Sequence, residues 1–418
     1  MNITINRLKN IFSNYSKVFE NYFFMTLLQG AGVIISLLLY PYLIRTLGKT
    51  SYGLYVFAFS NIAFFTTFIS FGFTIPALKT VSLNKDNEAI KRNILAAVFT
   101  AKFYLFLLSS IIFVVLLFTV PFLREHSLLY IIIFSALMYE LLFPNWYYQG
   151  MQIMKLTTYI QLGVRLLTIP FIFIFIKKPQ DVLIYAAIVS SSSIICSLIS
   201  TIYIKWREIF LPSFVSFKSL KQLFKDSLPF FWTSAIGCVK QESITLIIGA
   251  FFSLGDVAIY DLANKIVAIP RLMTTNINGA LFPQVIKNIQ ASMVKKIIRY
   301  EMIIGLSITL LITLLGYWAV LLMGGKEMLG AYPLAIVLSF TIYSWLIVGS
   351  YIDYIFVPQY KYYFVTRNQL VALLSFVVLS VLFLYICKSL FLIILAYSLS
   401  GFAEIFYCKY LIRKHRLL

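Results

Sequence analysis

The sequence predicts an all-α integral membrane protein, with about twelve transmembrane helices in two six-helix lobes and both termini cytoplasmic. Three observations carry that reading. Hydrophobic residues make up 61% of the 418 and the mean hydropathy is +0.90, far more apolar surface than a soluble chain of this length needs for a core. Apolar runs of about 20 residues, long enough to cross the hydrocarbon of a bilayer as a helix, recur between short polar breaks. Basic residues concentrate in alternate breaks. With the N-terminus inside, the inner segments hold Lys79 to Arg92, Lys205 to Lys225, Lys287 to Arg299 and Lys409 to Arg416, whereas the outer ones hold only Arg45, Lys49, Arg124, Lys177, Lys178, Lys326 and Lys388. This asymmetry orients the chain and explains its net charge of +20 as topology, not as a nucleic-acid footprint.

Taken in order, residues 1–17 lack the apolar core of a signal peptide. Leu8, Ile11, Phe12, Tyr15, Val18 and Phe19 recur at helical spacing with Arg7, Lys9 and Lys17 between, so this segment is expected to lie on the cytoplasmic leaflet. The first span, 18–44, carries Gln29, Ser36 and Tyr40 on one mildly polar face, a candidate cavity lining. Before the second span, 52–75, Gly48-Lys49-Thr50 copies the tail of a phosphate-binding loop, but Leu43 stands where its first glycine is needed. No nucleotide site follows, so ATP hydrolysed by this polypeptide is not the energy source.

The third span, 94–122, contains Lys102, expected to snorkel back to the cytoplasmic surface. The fourth, 127–149, has Glu140 mid-span and ends in Trp146, Tyr147 and Tyr148, which read as interface anchors, as do Tyr360, Tyr362 and Tyr363. In the fifth, 156–176, Arg165 lies mid-span with Thr158, Gln161 and Thr168 on its face. The sixth is 182–204. A basic linker, 205–227, then alternates Phe217, Leu220 and Phe224 with Lys218, Lys221 and Lys225, a tether for anionic membrane lipids. It separates an N-terminal lobe, 1–204, from a C-terminal lobe, 228–418.

The seventh and eighth spans, 228–252 and 256–283, meet at Ser253-Leu254-Gly255-Asp256 and hold Lys240, Glu242, Asp261, Lys265 and Arg271 inside apolar runs. A charge at bilayer depth costs about 2.5–3.5 kcal/mol on the lenient insertion scale, so these groups must face protein or water. Asp261, Asn264, Arg271, Thr275 and Asn278 return to one face of the eighth helix, and Asp261 and Lys265 are spaced to pair. Lys240 and Arg271 lack local partners, as a water-filled, anion-binding cavity would require.

The remaining spans are 299–323, 331–356 with Asp353, 363–387, and 389–411 with Glu404. Gly48 and Gly255, and Pro76 and Pro283, stand at one common offset, as parallel repeats would. Cys196, Cys238, Cys387 and Cys408 read as small apolar residues, and with only His126 and His415 present no metal or histidine-based catalytic site is expected.

A resemblance sharpens this reading. The stretch Gly249-Ala-Phe-Phe-Ser-Leu-Gly255-Asp-Val-Ala-Ile-Tyr260-Asp261-Leu-Ala-Asn264-Lys265-Ile, then Ala280-Leu-Phe-Pro283, resembles the seventh and eighth helices of the polysaccharide transporter family. These are Wzx-type flippases of the multidrug/oligosaccharidyl-lipid/polysaccharide exporter superfamily. Pro41-Tyr-Leu-Ile-Arg45-Thr-Leu-Gly48 with Tyr52-Gly53, and Trp146-Tyr-Tyr-Gln149-Gly150-Met, are similar to that family's patterns too. Where such proteins often carry an aspartate before the glycine of the seventh helix, this chain has Lys240-Gln-Glu242-Ser243.

The resemblance implies an undecaprenyl-pyrophosphate-linked oligosaccharide, flipped between leaflets of a bacterial inner membrane by alternating access, with a polysaccharide polymerase complex as a candidate partner. Arg165, Lys240, Lys265 and Arg271 are the residues suited to a pyrophosphate, with Gln29, Lys102, Asn264 and Asn278 as further lining. Glu140, Glu242, Asp261 and Asp353 are candidates for coupling to H+ or Na+. No other cofactor is expected. The alternatives are a multidrug or cation antiporter of the same superfamily, for which an acidic lining would be favoured, and a polysaccharide polymerase or ligase, for which the outer loops are short.

Overall fold

The computed structural model describes the backbone of residues 2–208, 214–285 and 291–417, and side chains over the same residues except 2–19, 208, 217–219, 275, 276 and 279–284. The amphipathic side chains expected before residue 20, Lys218, Thr275, Pro283 and Lys287 therefore lie outside the described side chains. Within the described residues the chain is all-helical, and nine helical stretches are long and apolar enough to cross a membrane. Glu20–Ser70 counts as one of them, although it covers most of two expected spans, 18–44 and 52–75.

Two compact units are present: Met1–Leu39 with Ile62–Phe231, and Tyr40–Asn61 with Trp232–Leu418. In the first, the ends of α1 (Asn2–Ser70) lead through a tight corner into α2 (Thr74–Leu83). The corner turns at Gly72, with φ 70°, where a Cβ would lie 2.7 Å from the Phe231 nitrogen. The Phe71 ring stacks on Phe231 at 4.3 Å. Next comes α3 (Glu88–Thr119), whose first turn is capped by Asn87, its Oδ1 accepting from the Ile90 N–H.

After the short α4 (Pro121–Glu125), the fourth expected span, 127–149, is not one helix but three pieces: α5 (Ser127–Ser135), α6 (Met138–Leu142) and α7 (Asn145–Gly150). Around Ala136–Glu140 the ladder tightens to three-residue bonds, and Pro144 has no N–H to continue it. Trp146, Tyr147 and Tyr148, expected as membrane-border anchors, are instead at most 3% exposed and form part of the unit's core. Tyr148 seats its hydroxyl at 2.6 Å from Ser200 Oγ, so the core has a polar partner for that ring. The unit continues with α8 (Met154–Phe175) and α9 (Val182–Glu208).

The second unit takes up α10 (Phe217–Phe251) from Trp232 onward, then α11 (Leu254–Val285) and α12 (Ala291–Gly324). The expected turn at Ser253 is a reciprocal cap: Ser253 Oγ accepts from the Asp256 N–H, and Asp256 Oδ2 accepts from the Ser253 N–H, both at 3.1 Å. There follow α13 (Ala331–Tyr351), a π turn over Ile352–Phe356, α14 (Tyr362–Ile386) and α15 (Leu390–Lys414).

Residues 40–61 also belong to this unit, folded back at Gly48, with φ 72°, a conformation that suits a residue without a Cβ. Their seat is close. A Cβ on Gly53 would fall 1.7 Å from the Leu254 carbonyl oxygen, and the Phe57 ring fills the space beside Gly249.

Candidate functional site

In the first unit, Arg165 sits at the middle of α8 and is exposed. Its Nη1 lies where a side chain at position 32 would be, 2.7 Å from a Cβ built on Gly32 of α1. The glycine thus leaves room for the guanidinium. Among the described residues no carboxylate pairs with it. Of the groups expected on its face, Thr158 and Gln161 turn into the core, and Thr158 donates to the Phe24 carbonyl at 3.0 Å. Thr168 is half-buried and bonds back to the Arg165 carbonyl. Gln29 is exposed on α1.

Lys102 does not snorkel. It is 3% exposed, and its Nζ meets Glu140 Oε1 at 2.5 Å and the Glu140 carbonyl at 2.8 Å. The reason lies in the broken fourth span: a residue at 144 would normally donate to the carbonyl of 140, and Pro144 cannot. The ammonium fills that vacant acceptor and neutralises the carboxylate of the same residue.

In the second unit, Lys240 is not left alone as the sequence suggested. It forms an ion pair with Glu404 of α15, whose other oxygen accepts from Asn368 of α14 at 3.4 Å, and lies 5.6 Å from the Tyr397 ring centroid. Asp261 and Lys265 pair along α11, as their spacing predicts, and Tyr52 is hydrogen-bonded to both, at 2.9 Å to Asp261 and 3.1 Å to Lys265. The Lys265 ammonium lies 5.0 Å from the Tyr40 ring centroid, an arrangement that favours a cation.

Arg271 Nη2 donates to Thr341 Oγ1 of α13 at 2.6 Å. Glu242 accepts from Gln241 at 3.4 Å. Tyr260, which is buried, stands within electrostatic reach of Tyr397 and of Glu242, Asp261 and Arg271, three of the five charges predicted on α10 and α11. Asn264 is half-buried on α11, while Asn278 is buried near its end. Asp353 falls in the π turn.

One acidic residue escaped the sequence reading. Glu301, 1% exposed, lies on the stripe of α12 formed by Val294, Ile298, Gly305, Thr309, Ile312 and Gly316, all buried. Its spacing from those residues was the available signal. The nearby Lys295, Lys296 and Arg299 hid it by making that end look like a solvated border, but they point outward.

Comparison with known proteins bears on what such a fold does. Residues 18–290 match the family model described as polysaccharide biosynthesis protein. A protein of Escherichia coli (strain K12), provisionally named as an O-antigen transporter, is 24% identical over 74% of this chain and 74% of its own. Among solved structures, the lipid II flippase MurJ in an inward closed conformation is similar with a TM-score of 0.68 at 13% identity, covering 94% of this chain and 86% of that one. A multidrug resistance MATE family transporter of the MOP superfamily, inward-facing, is similar with a TM-score of 0.63 at 13% identity, over 91% and 95%. These relatives are transporters and flippases, not enzymes, and the structural likenesses bear out the fold expected for the exporter superfamily. By the extent of its family match, this chain belongs to the polysaccharide biosynthesis protein family.

Proposed function

We propose that this protein is a flippase for an undecaprenyl-pyrophosphate-linked oligosaccharide, an O-antigen or related repeat unit, carried from the inner to the outer leaflet of a bacterial inner membrane. Its termini and basic linker face the cytoplasm and its anionic lipids, transport proceeds by alternating access, and the product passes to a polysaccharide polymerase complex. The observation that carries this reading is Arg165: a guanidinium at the middle of an apolar helix, exposed and unmatched by a carboxylate among the described residues. Such a charge is tolerated at bilayer depth where it meets water or an anion. A pyrophosphate offers it charge-assisted, bidentate hydrogen bonds. Arg271, whose Nη2 donates to Thr341 Oγ1, is the candidate in the second unit.

Family membership and the E. coli relative's name support the substrate class. Replacing Arg165 or Arg271 by Ala is expected to lower delivery of repeat units to the periplasm while protein abundance stays normal. Unchanged surface polysaccharide in both variants removes these arginines from the site. Transport of cationic drugs, with none of the lipid-linked oligosaccharide, overturns the reading in favour of an antiporter.

A further inference from the structure

We infer that Glu301 is a proton-binding site, a carboxyl that takes up and releases one H+ in the transport cycle. This rests on the transporter reading above, and it assigns the coupling to a residue outside the set expected from sequence.

The buried carboxylates of this chain divide by partner. Glu140, Asp261 and Glu404 each meet a lysine ammonium, which balances the carboxylate's charge at the contact. Glu301 meets no cation among the described residues. Its Oε2 accepts from Ser350 Oγ of α13 at 2.6 Å, and its Oε1 touches the side-chain amide of Asn278 from α11. The titratable groups facing it are Asp353, of like charge, and Tyr354, both from the π turn. Lys295, Lys296 and Arg299 of its own helix are exposed on the other side. An uncompensated carboxylate in such a place is costly unless it binds a proton or a cation.

With the Asn278 amide nitrogen toward Glu301, Nδ2 donates to the carboxylate Oε1, and Oδ1 accepts from the Ser350 N–H at 3.1 Å, so both amide atoms are paired. Together with Ser350 Oγ, the amide gives Glu301 neutral hydrogen-bond donors in place of a cation among the described residues.

The absence of a side chain at Gly349 leaves room for the Asn278 amide beside Glu301. A Cβ on Gly349 would stand 2.6 Å from that amide. The neighbouring π turn adds a helical irregularity of a kind frequent at functional sites. The groups around Glu301 come from α11, α13 and the π turn, so a shift of these elements against α12 would change the stability of the bound proton.

The test uses the purified full chain in proteoliposomes with undecaprenyl-pyrophosphate-linked oligosaccharide. An imposed proton gradient should raise the wild-type rate of lipid translocation, and in E301Q the rates with and without the gradient should coincide, with E301D restoring part of the response. A wild type driven by a sodium gradient alone, or an E301Q that still answers the proton gradient, overturns the inference. If no lipid-linked oligosaccharide moves at all, the proposed function fails, and Glu301 is then decided by infrared titration of the same protein in detergent. A protonated-carboxyl band that appears reversibly with falling pH in wild type and is missing from E301Q supports the site. Identical titrations of the two overturn it.

Discussion

Two positive charges near the middles of their helices, Arg165 in α8 and Lys240 in α10, have opposite surroundings. Arg165 is exposed, lies over a glycine, and has no acidic partner among the described residues. Lys240 is 17% exposed at its side chain and bound to Glu404 from a distant helix. A basic residue inside an apolar run thus has two uses, to close a structure or to meet something from outside, and the partner distinguishes them. The first kind should fail by unfolding when removed, the second by losing transport in an intact protein.

The largest expected effect follows from that difference. Lys240→Ala strands Glu404 as an unpaired, mostly buried carboxylate, a loss of about 3–5 kcal/mol. Thermal unfolding of the detergent-solubilised protein should show a clear drop, and the double variant K240M/E404L should recover most of it. If the double variant is no more stable than K240A, the pair does not hold the fold together and the comparison breaks.

A smaller effect contrasts two glycines. Gly53→Ala presses a methyl group against the Leu254 carbonyl oxygen, a backbone atom that cannot move alone, at a cost of about 1–3 kcal/mol. Gly32→Ala meets only the tip of Arg165, which can swing away. Equal losses of melting temperature in the two variants would mean that Arg165 is locked in place rather than available. Arg165→Ala completes the series, with a change of stability within about 0.5 kcal/mol. Its effect should appear in transport, and an unfolding loss as large as that of K240A would place Arg165 among the structural charges.

Reading these regions from sequence succeeded where the physics is local. Asp261 and Lys265 could be paired from spacing alone, because four residues return a side chain to the same helix face. The turn at Ser253 and the break between the first two spans at Gly48 were visible because they too depend on residues adjacent in the chain, whereas the cap that closes the Ser253 turn came from the structure. Glu404 could be seen but not assigned to Lys240, which lies 164 residues earlier. Lys102 was misjudged because its partner depends on Pro144 breaking a helix 38 residues on, at the Glu140 carbonyl. Trp146, Tyr147 and Tyr148 were misjudged because an amphipathic ring suits a membrane border and a core equally well. Glu301 was overlooked because basic neighbours disguised a buried stripe.

What the sequence by itself determined is that this chain is a bundle of apolar helices with charges its interior must accommodate, since transfer to hydrocarbon and helical periodicity depend on residues close together in the chain. Only the tertiary structure decided which charges are answered. Lys102, Lys240 and Lys265 each meet a carboxylate, Arg165 meets none among the described residues, and Glu301 rests on an amide and a hydroxyl. The physical reason is that neutralisation is a contact between helices, and helices that touch here are often separated by more than a hundred residues of chain.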